Sequence, residues 1–280
     1  MPKRLQRLDT LLVQRGEAPS LEKARQLIMS GDVYVNNQVV DKPGKQVLHD
    51  AIISIQQPEV SYVSRGGLKL KKAIDHFGIN VSGMTAIDVG ASTGGFTDCL
   101  LQNGAAFVYA VDTGYGQLDS KIRSDERVAV VERTNIRYVK PEQFQREIDL
   151  ATIDVSFISL DKVVPVVVSL LREGSQILAL IKPQFEAGRH LVGKGGVVKD
   201  PEVHKEVIQD IYNMAVRTGL KVMGLTYSPI KGPAGNIEYF IWLQKGTDED
   251  ASSPSQREVI DKVISEAYGS FRATGKERGA

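Results

Sequence analysis

The chain has 280 residues, 42% hydrophobic and 25% charged, an ordinary globular composition that excludes a disordered or fibrous protein. Lys and Arg number 35 against 34 Asp and Glu, so the net charge of +1 exerts no global pull toward nucleic acid or membrane, and any such partner must be held by a local patch. The single cysteine, Cys99, excludes an intrachain disulfide and a cysteine-rich metal site, fits a reducing compartment and reads as a buried helix residue.

The first residues are basic, but no unbroken apolar run follows them, so a secretory signal is not expected. Leu5, Leu8, Leu11 and Leu12 recur at helical spacing and predict an opening helix; Ser20 is placed to cap a second over 21–30, which Gly31 stops. Residues 32–36 alternate as a strand, Asn36-Asn37 is a tight-turn pair, and 38–40 return, so a hairpin follows, with a further strand over 51–55. This unit, residues 1–58, is small, and residues 59–67 read as its linker to the next block. Arg4, Arg7, Arg15, Lys23 and Arg25 gather positive charge on its helices. Two readings stand: phosphate contact with folded RNA, or a mixed solvated helix face. Arg65 and Lys71 continue the charge toward the second block, and Arg133 stands on one of its loops.

Residues 68–245 open on a basic helical stretch, 68–77, and then alternate strand and helix, with strands expected near 84–89, 106–112, 128–132, 149–154, 176–182, 221–227 and 237–243. Such alternation predicts an α/β fold, an open and mostly parallel sheet of seven strands with helices on both faces. The segment 228–236 is too short and too rich in Pro and Gly for a crossover helix, so the seventh strand is expected to be antiparallel. The longest aliphatic stretch, 163–171, is broken by Pro165 and Ser169 and falls well short of the ~20 apolar residues of a spanning helix. Residues 246–280 read as a polar linker and tail, helical over 257–271 and frayed at the end.

A strand runs into a glycine-rich turn and a helix at Asp88-Val-Gly90-Ala91-Ser92-Thr-Gly94-Gly95-Phe96, where doubly wound folds bind nucleotide-like ligands. Asp112 closes the next strand, placed to accept hydrogen bonds from ribose hydroxyls, and Asn135 and Ile136 follow the third, near an adenine. The spacing departs from the dinucleotide fingerprint, and no Gly-Lys-Ser/Thr follows for a phosphate loop. Acidic Asp88 lies where a pyrophosphate would approach but would tolerate a cationic sulfonium, which makes S-adenosylmethionine the better ligand; a dinucleotide and a merely structural turn are the other readings.

Asp154 and Lys182 close two very apolar strands, and carboxyl ends of parallel strands face the ligand crevice. With Glu238 at the start of the seventh strand and Lys69 on the preceding helix, they form a Lys-Asp-Lys-Glu set. This set, with Asp88-x-Gly90 and the order of elements, resembles the FtsJ-type ribose 2′-O-methyltransferases. Arg4-Leu-x-x-Leu8-Asp9 through Ser20, Ala24, Ile28, Gly31, Val33, Val35-Asn36 and Asp50 resembles the S4-like RNA-binding domain. Joined by Val63-Ser-Arg-Gly-Gly67, the combination is similar to the TlyA family, often labelled hemolysin A, over residues 1–245.

The resemblance implies a Rossmann-like, S-adenosylmethionine-dependent methyltransferase fold behind a small α+β domain. It implies methylation of a cytidine 2′-hydroxyl in 16S ribosomal RNA, 23S ribosomal RNA or both, with Lys69, Asp154, Lys182 and Glu238 as the catalytic tetrad. A cytoplasmic location with ribosomal RNA or ribosomal subunits as partner follows, with no stable membrane association. No metal is expected, since His49, His76, His190 and His204 lack ligand-like spacing. Two other functional classes are a membrane-active hemolysin, suggested only by the family label, and a noncatalytic RNA-binding assembly factor, which would be expected to have an eroded set.

Overall fold

The computed structural model describes residues 5–29, 31–55, 62–246 and 256–277, with side chains to residue 272. Its first part comprises β1 (Leu5–Arg7), α1 (Leu8–Gln14), α2 (Leu21–Met29), β2 (Val33–Val35), β3 (Gln38–Val39), β4 (Gln46–Leu48) and β5 (Ile53–Ile55). Leu8, Leu11, Leu12, Leu27 and Ile28 pack the two helices against Val33, Val35, Val40 and Val47 in a core of their own. Asn36 and Asn37 have φ of 50° and 63°, the left-handed pair a two-residue hairpin turn requires, and β2 pairs with both β3 and β5.

The opening helix is shorter than the leucine spacing predicts, because residues 5–7 form a strand paired antiparallel with β4. Leu5 is 60% exposed and does not belong to the helix's apolar face. Of the three residues in β4 only Val47 is buried, an alternation too brief to read as a strand.

The second part comprises α3 (Gly66–Phe77), β6 (Thr85–Val89), α4 (Gly95–Gln102), β7 (Phe107–Val111), α5 (Ser120–Arg123), β8 (Val128–Val131), β9 (Ile148–Ile153), α6 (Val164–Leu170), β10 (Leu171–Ile181), α7 (Pro183–Glu186), α8 (Pro201–Arg217), β11 (Leu220–Tyr227), β12 (Tyr239–Lys245) and α9 (Gln256–Glu277). Seven strands form one sheet in the order β11-β12-β10-β9-β6-β7-β8. The pairs β9–β10, β6–β9, β6–β7 and β7–β8 are parallel. As expected of the seventh strand, β12 is antiparallel to both its neighbours, β10 and β11. Strand order reverses between β6 and β9, which opens a crevice at their carboxyl ends.

Alternation along the strands divides the core between the two sheet faces. Ile87 and Val89, Ile177, Ala179 and Ile181, and Tyr239 and Ile241 face α6, α8 and α9. Ala86, Leu178, Leu180 and Phe240 face α3 and α4. The C-terminal segment is more than a polar tail: α9 buries Ile260, Val263, Ile264 and Ala267 in the first of these clusters. Among the described residues no helix is long and apolar enough to cross a membrane.

Candidate active site

Parity of the strands places the chemistry. Asp154 follows Ile153, Lys182 follows Ile181, and Glu238 precedes Tyr239; since those three hydrophobic residues face one side of the sheet, the three polar ones face the other, toward α3. There Lys69, from α3, donates a hydrogen bond of 2.6 Å from Nζ to Glu238 Oε2, with the two side chains 10% and 1% exposed. Lys182 Nζ lies 2.5 Å from Asp154 Oδ1 and donates to Ser156 Oγ at 3.0 Å.

The charges support one another. Burial opposes the ammonium of Lys69, but the Glu238 and Asp154 carboxylates outweigh it and raise the pKa above the ordinary lysine value, so Lys69 stays a cation. Burial likewise pushes Asp154 up, and Lys182 and Lys69 more than reverse it, holding the carboxyl below its usual range.

Two lobes of the crevice meet at Asp154. One, of about 560 Å³, is lined by Lys69, Asp154, Lys182 and Glu238 together with Gly95 and Phe96. The other, of about 750 Å³, is lined by Asp112, Asn135, Ile136 and Phe157 among others. Gly90, Ser92, Gln117, Asp154 and Ser156 border both. The turn passes so close to β9 that a Cβ on Gly90, at φ +89°, would stand 2.4 Å from the Asp154 carbonyl oxygen, so only glycine fits there. Asp112 shapes the same turn, accepting from Ser92 N at 2.8 Å and Gly114 N at 2.6 Å.

A family model described as FtsJ-like methyltransferase matches residues 62–245, and one described as S4 domain matches 6–53. The chain belongs to the FtsJ-like methyltransferase family. The Bacillus subtilis protein YqxC is 47% identical over 97% of both chains. The 16S/23S rRNA (cytidine-2′-O)-methyltransferase TlyA of Mycobacterium tuberculosis is 42% identical over 93% of this chain and 97% of its own. A solved structure from Streptococcus thermophilus, provisionally named a hemolysin, is 40% identical and covers 98% of this chain and 99% of its own, with a TM-score of 0.77.

Within this methyltransferase domain the cofactor candidates fall in different places. Gly90, Ala91, Ser92, Gly95, Phe96, Asp112, Asn135, Ile136 and Asp154 line the crevice. Gly94 caps α4 and packs toward Leu118 and Ile122. Asp88 departs from expectation: it is fully buried, accepting from Thr97 Oγ1 at 2.7 Å and Thr152 Oγ1 at 3.1 Å, one layer below the crevice. Its strand position has the parity of Ala86, which turns the carboxylate under α4. Burial pushes its pKa up to about 7, so it is not the strong negative charge at the ligand that the sequence suggests. Ser156, Gln117 and Phe157 also line the crevice, and no motif points to them. Phe157 is 90% exposed at φ +63°, its ring 4.9 Å from that of Phe185.

The basic candidates are less free than their sequence suggests. Arg7 and Arg25 bond to buried Asp9 at 2.7 Å and 3.3 Å, and Arg15 donates to the carbonyls of Ala51 and His49. Arg65 donates to Gly31 O at 3.3 Å, Lys71 pairs with Asp75, and Arg133 lies over the Tyr115 ring at 4.0 Å. Lys23 is exposed. Arg4 lies outside the described residues.

Proposed function

We propose that the protein is an S-adenosylmethionine-dependent ribosomal RNA methyltransferase acting on a cytidine 2′-hydroxyl in 16S rRNA, 23S rRNA or both. The observation that carries this reading is the meeting of Lys69, Asp154, Lys182 and Glu238 in one lobe of the crevice, with Asp154 bordering both lobes. The name of the relative TlyA points to the same reaction. The larger lobe fits the cofactor: Asp112 would accept hydrogen bonds from its ribose hydroxyls, Asn135 and Ile136 would hold its adenine, and the Gly90 turn would allow close backbone approach. When bound, S-adenosylmethionine supplies an electrophilic methyl group on a sulfonium.

A ribose hydroxyl is a poor nucleophile near neutral pH, so its transfer needs in-line placement and help with the proton. Lys69 is held as the counter-ion of Glu238, which leaves Lys182 to meet the 2′-oxygen. During transfer to the 2′-oxygen Lys182 would receive the hydroxyl proton or steer the oxygen lone pair. Asp154 orients Lys182, and Glu238 orients Lys69. The S4 domain docks folded RNA through its phosphates, with Arg4 and exposed Lys23 as contacts and Arg7, Arg15 and Arg25 contributing positive field while held by their intradomain partners; Arg65, Lys71 and Arg133 extend that field toward the crevice. A cytoplasmic location goes with a ribosomal substrate.

The test is methyl transfer from labelled S-adenosylmethionine to unmodified ribosomal subunits, with the product mapped to base or ribose. Ribose label in the native protein, lost in Lys182→Ala while RNA binding persists, is expected. No label on either subunit, or label on a base, overturns the reading and favours a noncatalytic RNA-binding factor or another methylation chemistry.

A further inference from the structure

Ser156 stands two residues beyond Asp154 on the loop that follows β9, bordering both lobes of the crevice. Its Oγ accepts the 3.0 Å hydrogen bond from Lys182 Nζ, while Asp154 Oδ1 holds the same nitrogen at 2.5 Å. We propose that Ser156 is a positioning residue for methyl transfer: it fixes the rotation of the Lys182 amine about Cε–Nζ so that a position not taken by the serine faces the acceptor oxygen. This rests on the reading that Lys182 meets a ribose hydroxyl.

The argument is stereochemical. Besides its bond to Cε, a tetrahedral lysine nitrogen has three positions, and one is taken by an N–H directed at Ser156, while Asp154 Oδ1 forms an ion pair with the nitrogen but receives no directed hydrogen bond. With that position fixed the other two have set directions, so the lone pair of the amine or the N–H of the ammonium meets the acceptor from a defined side. Without the serine hydroxyl only the undirected attraction of Asp154 acts, and the nitrogen is free to rotate about Cε–Nζ. The nearest ring, that of Phe185, lies 6.0 Å from Nζ, too far to restrain it.

Ser156 is itself held in place from the strand that carries Lys182. Lys182 leads directly into α7, and Glu186 at the end of α7 accepts a hydrogen bond of 2.9 Å from Leu160 N, on the far side of the Ser156 loop. Loop and helix are thus tied together on both sides of the lysine–serine contact. Because Ser156 is exposed, removal of its hydroxyl opens no core cavity.

The experiment compares Ser156→Ala and Ser156→Thr with the native full-length protein, using labelled S-adenosylmethionine and unmodified ribosomal subunits. Ser156→Ala should lower kcat about tenfold, the rate equivalent of one ordinary hydrogen bond. KM for the cofactor and for the subunits should hold, and Ser156→Thr, which keeps the hydroxyl, should return kcat to within about twofold. An unchanged kcat in Ser156→Ala, a rise in KM alone, or a threonine variant as slow as alanine would each overturn the proposal.

Should the native protein methylate no ribose, the functional reading fails by itself; ribose methylation by the native protein with kcat unchanged in Ser156→Ala refutes only the positioning role.

Discussion

Removing Lys69 alone should damage the fold more than removing Lys69 and Glu238 together. The two charges face one another at 2.6 Å with side chains 10% and 1% exposed. At an effective dielectric constant of about 20, unit charges that close attract by roughly 6 kcal/mol. Taking both ions out of water costs several kcal/mol each, so the pair is near neutral against well-packed apolar residues of similar volume. Lys69→Met leaves Glu238 without its counter-ion and takes one of two neighbouring cations from Asp154. It should cost about 3–5 kcal/mol, or roughly 6–20 °C of thermal midpoint for a domain of this size. Glu238→Gln should cost less, since its amide oxygen still accepts from Lys69 and Asp154 still balances the charge. The pair Lys69→Met with Glu238→Leu should recover to within about 1 kcal/mol of the native protein and yet transfer no methyl group. Urea unfolding followed through Trp242, the only tryptophan, reports the large domain separately because that residue lies on β12. A double variant as unstable as the sum of the single ones would refute the reasoning, for it would mean that the ions stabilise the fold independently of each other.

Three more outcomes are expected. Gly90→Ala, forced to φ +89° with its Cβ 2.4 Å from the Asp154 carbonyl oxygen, should displace Asp154 and weaken S-adenosylmethionine binding at least tenfold; equal affinity by calorimetry would show that the turn adapts. Gly232→Ala would set a Cβ 2.3 Å from Glu238 Oε1, so kcat should fall while cofactor binding is kept, and an unchanged kcat would free Glu238 from its assigned role. Asp88 has a folded pKa near 7, above its unfolded value of 3.8, so the folded state binds the extra proton and its contribution to stability declines as pH rises between them. Asp88→Asn should therefore gain stability over the native protein from about pH 4 to about pH 7 and then level off; melting curves of the two proteins that stay parallel across that range would contradict it.

Most of the large domain was legible because its strands are short apolar runs separated by helical stretches, and because the nine-residue link 228–236 admits no crossover. Chain ends and edges were less so. Residues 5–7 share the leucine spacing of α1, yet pair with β4, a long-range contact that local periodicity does not contain. The tail gave a weak signal because the buried residues of α9, Ile260, Val263, Ile264 and Ala267, lie beyond an acidic polar stretch that isolates them from the rest of the pattern. The arginines of the small domain illustrate a different limit: Arg7 and Arg25 read as charge for a partner, but buried Asp9, held down to about pKa 2 chiefly by its hydrogen bond with Arg7, engages both.

For the site, parity carried more information than residue type. Asp88, Asp154, Lys182 and Glu238 all occupy positions that point to the α3 side of the sheet, so each reads as a candidate ligand contact. What separates them is depth along the strand. Asp154 and Lys182 stand one residue past the last residue of β9 and β10, where the next side chain on that face meets the crevice. Asp88 stands one residue short of the end of β6, where the same direction leads beneath α4 to Thr97 and Thr152. A shift of two residues along one face thus changes a carboxylate from a group that stays charged beside a lysine to one whose pKa is raised by burial. Strand ends are the least certain feature of a sequence pattern, and it is there that the distinction between a site residue and a structural one is made.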